Sequence, residues 1–324
     1  MLRTLHVGLG TIGREILKAT VESGIGRPVA GVDPLFVGRQ MSDLPEGPAT
    51  PVPVHADLAS ALESKPDIAI LSTASRVEAI ASDLRTLVAA GVNCVSTCEK
   101  LAYPWLDTPQ LAEELNEKAK NAGVTIVGTG VNPGFLLDAL PVFLTRPCEA
   151  VSRVAASRFV NTARRRRQLQ EKTGAGMTLE EFARKAEAGT VGHVGLAESA
   201  ALLATGLGWE VSRADINETI EPVLAEEAVS SDYLTVPAGR VKGQLQTITL
   251  QGPDAKAIQI TLKMALGLEE EYDEVRVEGV PPLHVRVIGG LFGDSATAGC
   301  TVNILRQTVA ARPGLLTVLD LPLA

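Results

Sequence analysis

HVGLGTIGREILKAT, from His6 to Thr20, places Gly8, Gly10 and Gly13 in the spacing G-x-G-x-x-G. Leu5, His6 and Val7 before it read as a strand, and Glu15, Ile16, Leu17 and Ala19 after it read as the first turns of a helix. In that setting each glycine has a separate task. Gly8 permits the tight turn, Gly10 lets the backbone approach a pyrophosphate, and Gly13 lets helix and strand pack closely. Thr11 and Ile12 open the helix, whose N-terminal N–H groups face the anion. A second apolar strand, Pro28 to Val32, ends in Asp33, twenty residues after Gly13. A carboxylate there can accept from both hydroxyls of an adenosine ribose and repels a 2′-phosphate. NAD is therefore the expected cofactor. Arg39, six residues on, could pair with a 2′-phosphate and leaves NADP open.

Strand and helix go on alternating to about residue 135. Asp67 to Ser72 is an apolar run closed by polar residues, as a buried parallel strand is, and Arg76 to Ala90 has helical periodicity closed by Gly91. Val92 to Ser96 is the next strand, Pro109 to Ala122 a charged amphipathic helix ending at Gly123, and Val124 to Gly128 a further strand. This succession indicates an α/β fold with a doubly wound parallel, dinucleotide-binding (Rossmann) sheet. Such sheets bind ligands at the carboxyl ends of their strands. That singles out Ser72 to Ser75, Ser96 to Glu99 and Gly128 to Gly134, with Thr73, Ala74 and Cys98 expected beside the cofactor.

Past Phe135 the pattern changes. Arg153 to Phe159 and Thr247 to Met264 favour strands with polar–apolar alternation, and helices are expected over Thr178 to Ala188 and after Gly195. We read residues 136–293 as an α+β substrate and oligomerisation domain on an open mixed sheet, and 1–135 as the dinucleotide domain. The tail 294–324 is expected to return to the first domain, as a helical pattern over Asp294 to Ala311 and a strand over Leu315 to Leu319. Arg164 to Arg167 and the acidic stretch Glu269 to Glu271 with Asp273 and Glu274 are expected to be solvated, as charge runs usually are.

Composition narrows the partners. A net charge of −8 and 3% aromatic residues disfavour nucleic acid, which needs a basic surface and stacking platforms. No apolar run reaches the ~18 residues that span a membrane. The nucleotide-binding strand lies where a cleavable leader would be, so a cytoplasmic protein is expected. Four cysteines in 324 residues are no disulfide framework. Cys94 and Cys98 lack a second ligand pair, so no metal is expected.

Several segments of the second half resemble the 2,4-diaminopentanoate dehydrogenases and the related native NAD(P)-dependent amine dehydrogenases. They are Gln168 to Met177, Gly192 to Ser199, and the tail from Gly293–Thr297 to Ala311–Leu316; Gly128 to Phe135 adds a similar loop. The resemblance implies a dihydrodipicolinate-reductase-like architecture, a small carbonyl or amine substrate with ammonia, and hydride transfer between a nicotinamide and a C–N bond. It places the family's catalytic acid on Glu99. A carboxylate at a strand's carboxyl end could take a proton from ammonium and return it to the leaving hydroxyl. Asn132 is expected at the nicotinamide carboxamide or ribose and in the substrate pocket, and His193 in that pocket. A homodimer is expected from the large second sheet.

Two other readings compete. Glu99-Lys100 is similar to the Glu-Lys-Pro of sugar oxidoreductases, whose lysine is catalytic, but Leu101 stands at the proline and no Asp-x-x-x-His follows. A non-catalytic NAD-binding sensor would need neither Glu99 nor a full second domain.

Overall fold

Short apolar strands alternate with amphipathic helices through the first 128 residues of the computed structural model, which describes residues 1–45, 47–49 and 51–322. In chain order these are β1 (Leu2–Val7), α1 (Thr11–Glu22), β2 (Gly26–Val32), β3 (Val54–His55), α2 (Leu58–Leu62), β4 (Ile68–Leu71), α3 (Val77–Ala89), β5 (Asn93–Ser96), α4 (Pro109–Ala122) and β6 (Thr125–Gly128). β4 and β6 are buried at every residue, as strands covered on both faces must be. α1 buries Gly13, Ile16, Leu17 and Thr20, one stripe at helical spacing. α4 starts with Pro109, whose missing N–H is an orphan there anyway, and stops at Gly123 with φ 70°. β2 begins two residues earlier than its apolar run. Pro28 within it gives no N–H, and the β1–β2 ladder skips Val29 immediately after it.

The chain then forms α5 (Ala139–Leu144), β7 (Ala150–Asn161), α6 (Arg167–Lys172), α7 (Leu179–Glu187), α8 (Leu196–Gly206), β8 (Ile216–Leu224), β9 (Val229–Ser230), β10 (Thr235–Val236), β11 (Val241–Gln251), β12 (Ala257–Ala265), β13 (Tyr272–Val280) and β14 (Leu283–Ile288). Six of these strands make a mixed sheet in the order β14-β13-β7-β12-β11-β8, with β7 and β12 parallel and the other neighbours antiparallel. Ile258, Ile260, Leu262 and Met264 of β12 point to the covered face, while Gln259, Thr261 and Lys263 alternate with them. α8 is buried from Leu196 to Ala204 and packs on β8, β11 and β12.

The tail follows as α9 (Gly293–Asn303), α10 (Leu305–Ala310) and β15 (Gly314–Leu316). β15 pairs with β6 and completes a fully parallel seven-stranded sheet in the order β15-β6-β5-β4-β1-β2-β3. The helical run expected over 294–311 breaks at Ile304, after Thr301-Val302-Asn303, a stretch of poor helix formers. The expected strand to Leu319 stops at Leu316. Thr317 instead caps a 3-10 turn, Val318–Asp320, with Asp320 returning the bond. Two compact units result: Met1–Phe135 resuming from Phe292, and Leu136–Leu291. No helix among the described residues is long and apolar enough to cross a membrane.

Candidate functional site

The three glycines of the first loop differ in what surrounds them. At Gly8, with φ 87°, a Cβ would lie 2.7 Å from Ser72 O, and at Gly13 it would lie 1.9 Å from Gly8 O. Both positions are closed to any side chain. At Gly10 a Cβ would meet nothing within 4 Å, so this backbone faces open space. α1 has no side-chain cap and no acid in its first turn, which leaves its N-terminal N–H groups for an anion. Ser72 Oγ donates to Gly8 O at 2.9 Å and fixes the loop from β4, while the Thr73 methyl carbon packs beside Gly8. Ala74 packs on the core of this unit.

Asp33 sits at the end of β2 and is 7% exposed. Its two oxygens accept the N–H groups of Leu9 (2.7 Å) and Leu35 (2.9 Å), so it braces the glycine loop directly. A carboxylate has about four lone-pair sites, and further acceptor capacity remains on both oxygens. Arg39 lies over the Phe36 ring at 5.9 Å.

Glu99 opens a 3-10 turn, Glu99–Ala102, at the carboxyl end of β5 and is half-buried. The turn is held from several sides. Lys100 N–H donates to Ser75 O at 3.1 Å, Cys98 N–H to Ser96 Oγ at 3.1 Å, and Leu101 N–H to Cys98 O at 2.9 Å. Gly128 lets β6 pass underneath, since a Cβ there would lie 2.4 Å from the Leu101 carbonyl carbon. Lys100 Nζ is ion-paired with Asp107. Cys98 points into the core; burial pushes its thiol up to about 12, and burial raises Cys94 as well. Any role of Cys98 toward a cofactor therefore falls to its backbone, and its side chain anchors the turn that carries Glu99.

Asn132 lies in the loop after β6 and is 8% exposed. Thr129 N–H donates to Ser96 O at 2.8 Å, and Val131 N–H donates to Thr297 Oγ1 of α9 at 3.3 Å. The glycine loop, Asp33, Thr73, Ala74, Glu99 and Asn132 thus share one edge of the parallel sheet. Ser72 and Thr297 hold this edge; Ser72 lies in a strand-end stretch and Thr297 in a segment of the family resemblance, but nothing in the sequence marks their hydroxyls as the bracing groups.

His193 belongs to the other unit. Its backbone is held by Gln246 of β11, which accepts the His193 N–H at 2.8 Å and donates to the His193 carbonyl at 3.0 Å. Gln246 also donates to Glu218 at 2.6 Å. At the start of α5, Asp138 is fully buried and accepts from Ala139 N–H and Ser199 Oγ, both at 2.7 Å. The charged runs are only partly solvated. Arg164, Arg166 and Arg167 are exposed, but Arg165 lies 3.7 Å from Glu271. Asp273 is no loop residue: it is buried in β13, 3.8 Å from Arg158, and accepts the Leu291 N–H at 2.7 Å. Arg158 donates to the Leu291 carbonyl at 2.7 Å, so the pair holds the Leu291 backbone on both sides of its Cα. The parity of Asp273 with Val275 and Val277 was the available sign of its burial.

Comparison with known proteins places this geometry. Residues 135–324 match the model of the 2,4-diaminopentanoate dehydrogenase C-terminal domain. A 2,4-diaminopentanoate dehydrogenase from Acetoanaerobium sticklandii is 30% identical over 99% of this chain and 93% of its own. Among solved structures, an amine dehydrogenase from Mycobacterium smegmatis has a TM-score of 0.84 at 24% identity, covering 99% of this chain and 96% of that one. A dipicolinate-bound dihydrodipicolinate reductase from Paenisporosarcina sp. TG-14 has a TM-score of 0.52 at 14% identity, covering 94% of each. The two structures share the fold.

Proposed function

The chain belongs to the 2,4-diaminopentanoate dehydrogenase family, and from that premise we propose how its residues carry the reaction. It is an NAD(P)-dependent amine dehydrogenase, an oxidoreductase acting on CH–NH2 donors. The reaction is reductive amination of a small ketone or aldehyde with ammonia, and oxidative deamination in reverse. 2,4-Diaminopentanoate is one candidate substrate.

The residues at the sheet edge fit a dinucleotide. Gly10 is open to close approach, the α1 N-terminus offers N–H donors, and Asp33 retains acceptor sites for ribose hydroxyls. A bound nicotinamide supplies the hydride in amination and takes it in deamination. Glu99 takes a proton from ammonium, returns it to the carbinolamine hydroxyl as water leaves, and as an anion stabilises the iminium that is then reduced. Asn132 orients the nicotinamide carboxamide or ribose, and Thr73 and Ala74 flank the cofactor. Asn132 and His193 are each assigned a contact with the substrate. NAD is preferred over NADP, and the protein is a cytoplasmic homodimer that pairs through its six-stranded sheet.

The observation that carries this reading is the Glu99 turn, braced at the carboxyl end of β5 on the same sheet edge as the glycine loop after β1. The lysine chemistry of a sugar oxidoreductase is disfavoured, because Lys100 is engaged by Asp107. The test is NADH consumption with small ketones, aldehydes and amino-keto acids, with and without ammonium. Ammonium-dependent oxidation of NADH with an amine as product is expected. Alcohol formation regardless of ammonium would replace this reading with carbonyl reduction. Binding of NADH without turnover on any carbonyl would replace it with a sensor.

A further inference from the structure

The Leu136–Leu291 unit carries an open, solvent-facing pocket of about 590 Å³, formed by α6, the loop after it, α7 and the start of β10. None of the residues given roles above lines it. One wall is apolar: Ala175, Met177 and Leu234. Between them Gly176, at φ 89°, faces open space, since a Cβ there would meet nothing within 4 Å. The rim is charged. Arg167 is bonded to Glu171 at 2.7 Å. Glu181 accepts the Thr178 N–H at 2.8 Å and so closes the capping box of α7. The acids of the cavity are thereby engaged. Arg184 and Lys185, consecutive in the last turn of α7, form no ion pair among the described residues. The lining holds three cations, Arg167, Arg184 and Lys185, against two acids, although Glu180, one turn back from Arg184 and outside the lining, also feels the Arg184 charge; the whole chain has a net charge of −8.

We propose that this cavity binds a small organic anion, its carboxylate or phosphate group held by Arg184 and Lys185 and its apolar part laid over Ala175, Met177 and Leu234. A guanidinium fork beside an ammonium suits either group, and the volume falls in the ~300–1,000 Å³ range of small-molecule sites. The simpler account of the two cations is that they offset the negative end of the α7 dipole, which requires no ligand.

The experiment is calorimetric titration of the full chain, saturated with NADH and at constant ionic strength, with benzoate, phenyl phosphate and uncharged benzyl alcohol. Saturable binding of benzoate or phenyl phosphate is expected, and whichever binds identifies the anionic group recognised. The double variant Arg184→Gln/Lys185→Gln should weaken it at least tenfold, while Arg184→Lys retains most of it. Both positions are exposed, so circular dichroism and thermal midpoint should be unchanged in the variants. Absence of saturable binding, equal binding to the double variant, or equal binding of benzyl alcohol would each overturn the proposal. The readout is binding alone, so failure here leaves the dehydrogenase reading untouched, and failure of that reading leaves this one standing.

Discussion

The carboxyl edge of the parallel sheet and the covered face of the mixed sheet place their polar groups by different means. At the edge, loops are held by backbone groups and short side chains: Ser72 on Gly8, Ser96 on Cys98, Asp33 on Leu9. Strand order alone brings these together. On the mixed sheet, polarity follows register. Gln246 stands opposite Leu262, Leu262 opposite Arg158, and Arg158 opposite Asp273, so three of four residues in one row are polar and buried. Topology can therefore carry a site through many sequence changes at the edge, whereas on the mixed sheet Arg158 and Asp273 depend on each other and Gln246 on His193 and Glu218.

The sharpest break should come from that row. Burial raises Asp273, and the nearby Arg158 guanidinium and the Leu291 N–H oppose the rise without cancelling it. Asp273→Leu leaves Arg158 buried without its acid and is expected to lose about 3–5 kcal/mol in denaturant unfolding. Arg158→Met/Asp273→Leu should recover most of that loss, and a double variant no better than the single one would show that the pair does not act as a unit.

At the sheet edge the largest effect should be on rate rather than stability. Glu99→Gln is expected to lower kcat roughly a hundredfold or more, with NADH affinity nearly unchanged. Near-normal turnover in the folded variant would take Glu99 out of the mechanism and leave it as a carboxylate at the start of a turn, where its loss costs only ~0.3–1 kcal/mol.

The two sheets should also respond oppositely to pH. His6 of β1 is buried, and burial pushes its imidazole down to about 3 from 6.5. Its contribution is complete above the unfolded value and is lost as pH falls from 6.5 toward 3, because only the unfolded chain takes the proton. Asp273 has the opposite sign: with its pKa raised, its contribution is present at low pH and lost as pH rises through the folded value. Between about pH 7.5 and 5 the His6 share of the loss is roughly 2 kcal/mol. His6→Leu should flatten that acid limb, and an unchanged limb would assign the loss to other groups.

The smallest expected change is in cofactor choice. Asp33→Ser should move the kcat/KM ratio of NADH to NADPH toward NADPH by roughly tenfold, the scale of one charge-assisted hydrogen bond. It should raise KM for both, because Leu9 and Leu35 lose their acceptor. A clear NADPH advantage in the unaltered protein would mean that Asp33 braces the loop without meeting a ribose.

These contrasts explain what could be read from residues alone. Gly8 and Gly13 were legible because their positions admit nothing larger, and α4 because Pro109 and Gly123 punctuate it. Asp33 was legible as an acid at a strand end, though its bonds to Leu9 and Leu35 were not. Glu99 is different: spacing marks it only as one of several residues that follow a strand, and its catalytic reading rests on the family resemblance. Cys98 looked like part of the cofactor edge because adjacency does not tell which way a side chain turns. Asp273 was read as solvated because four acids around it share its charge, although its parity with two buried valines pointed inward. The anion cavity could not be read at all, since it needs residues 167–185 brought against 234–235.

The parallel sheet is interrupted in sequence, and this matters for synthesis on the ribosome. β6 receives its outer neighbour only when β15 arrives: Gly314 N–H donates to Val124 O, Thr125 Oγ1 to the Arg312 carbonyl 187 residues on, and Leu315 N–H to Asn116 across 199 residues. The Leu136–Leu291 unit is contiguous and can close while the tail is still being made. Until that tail emerges, Thr125–Gly128, a strand destined for complete burial, remains a bare edge able to pair with another nascent chain. The arrival of β15 thus ends the period in which β6 stands as a bare edge.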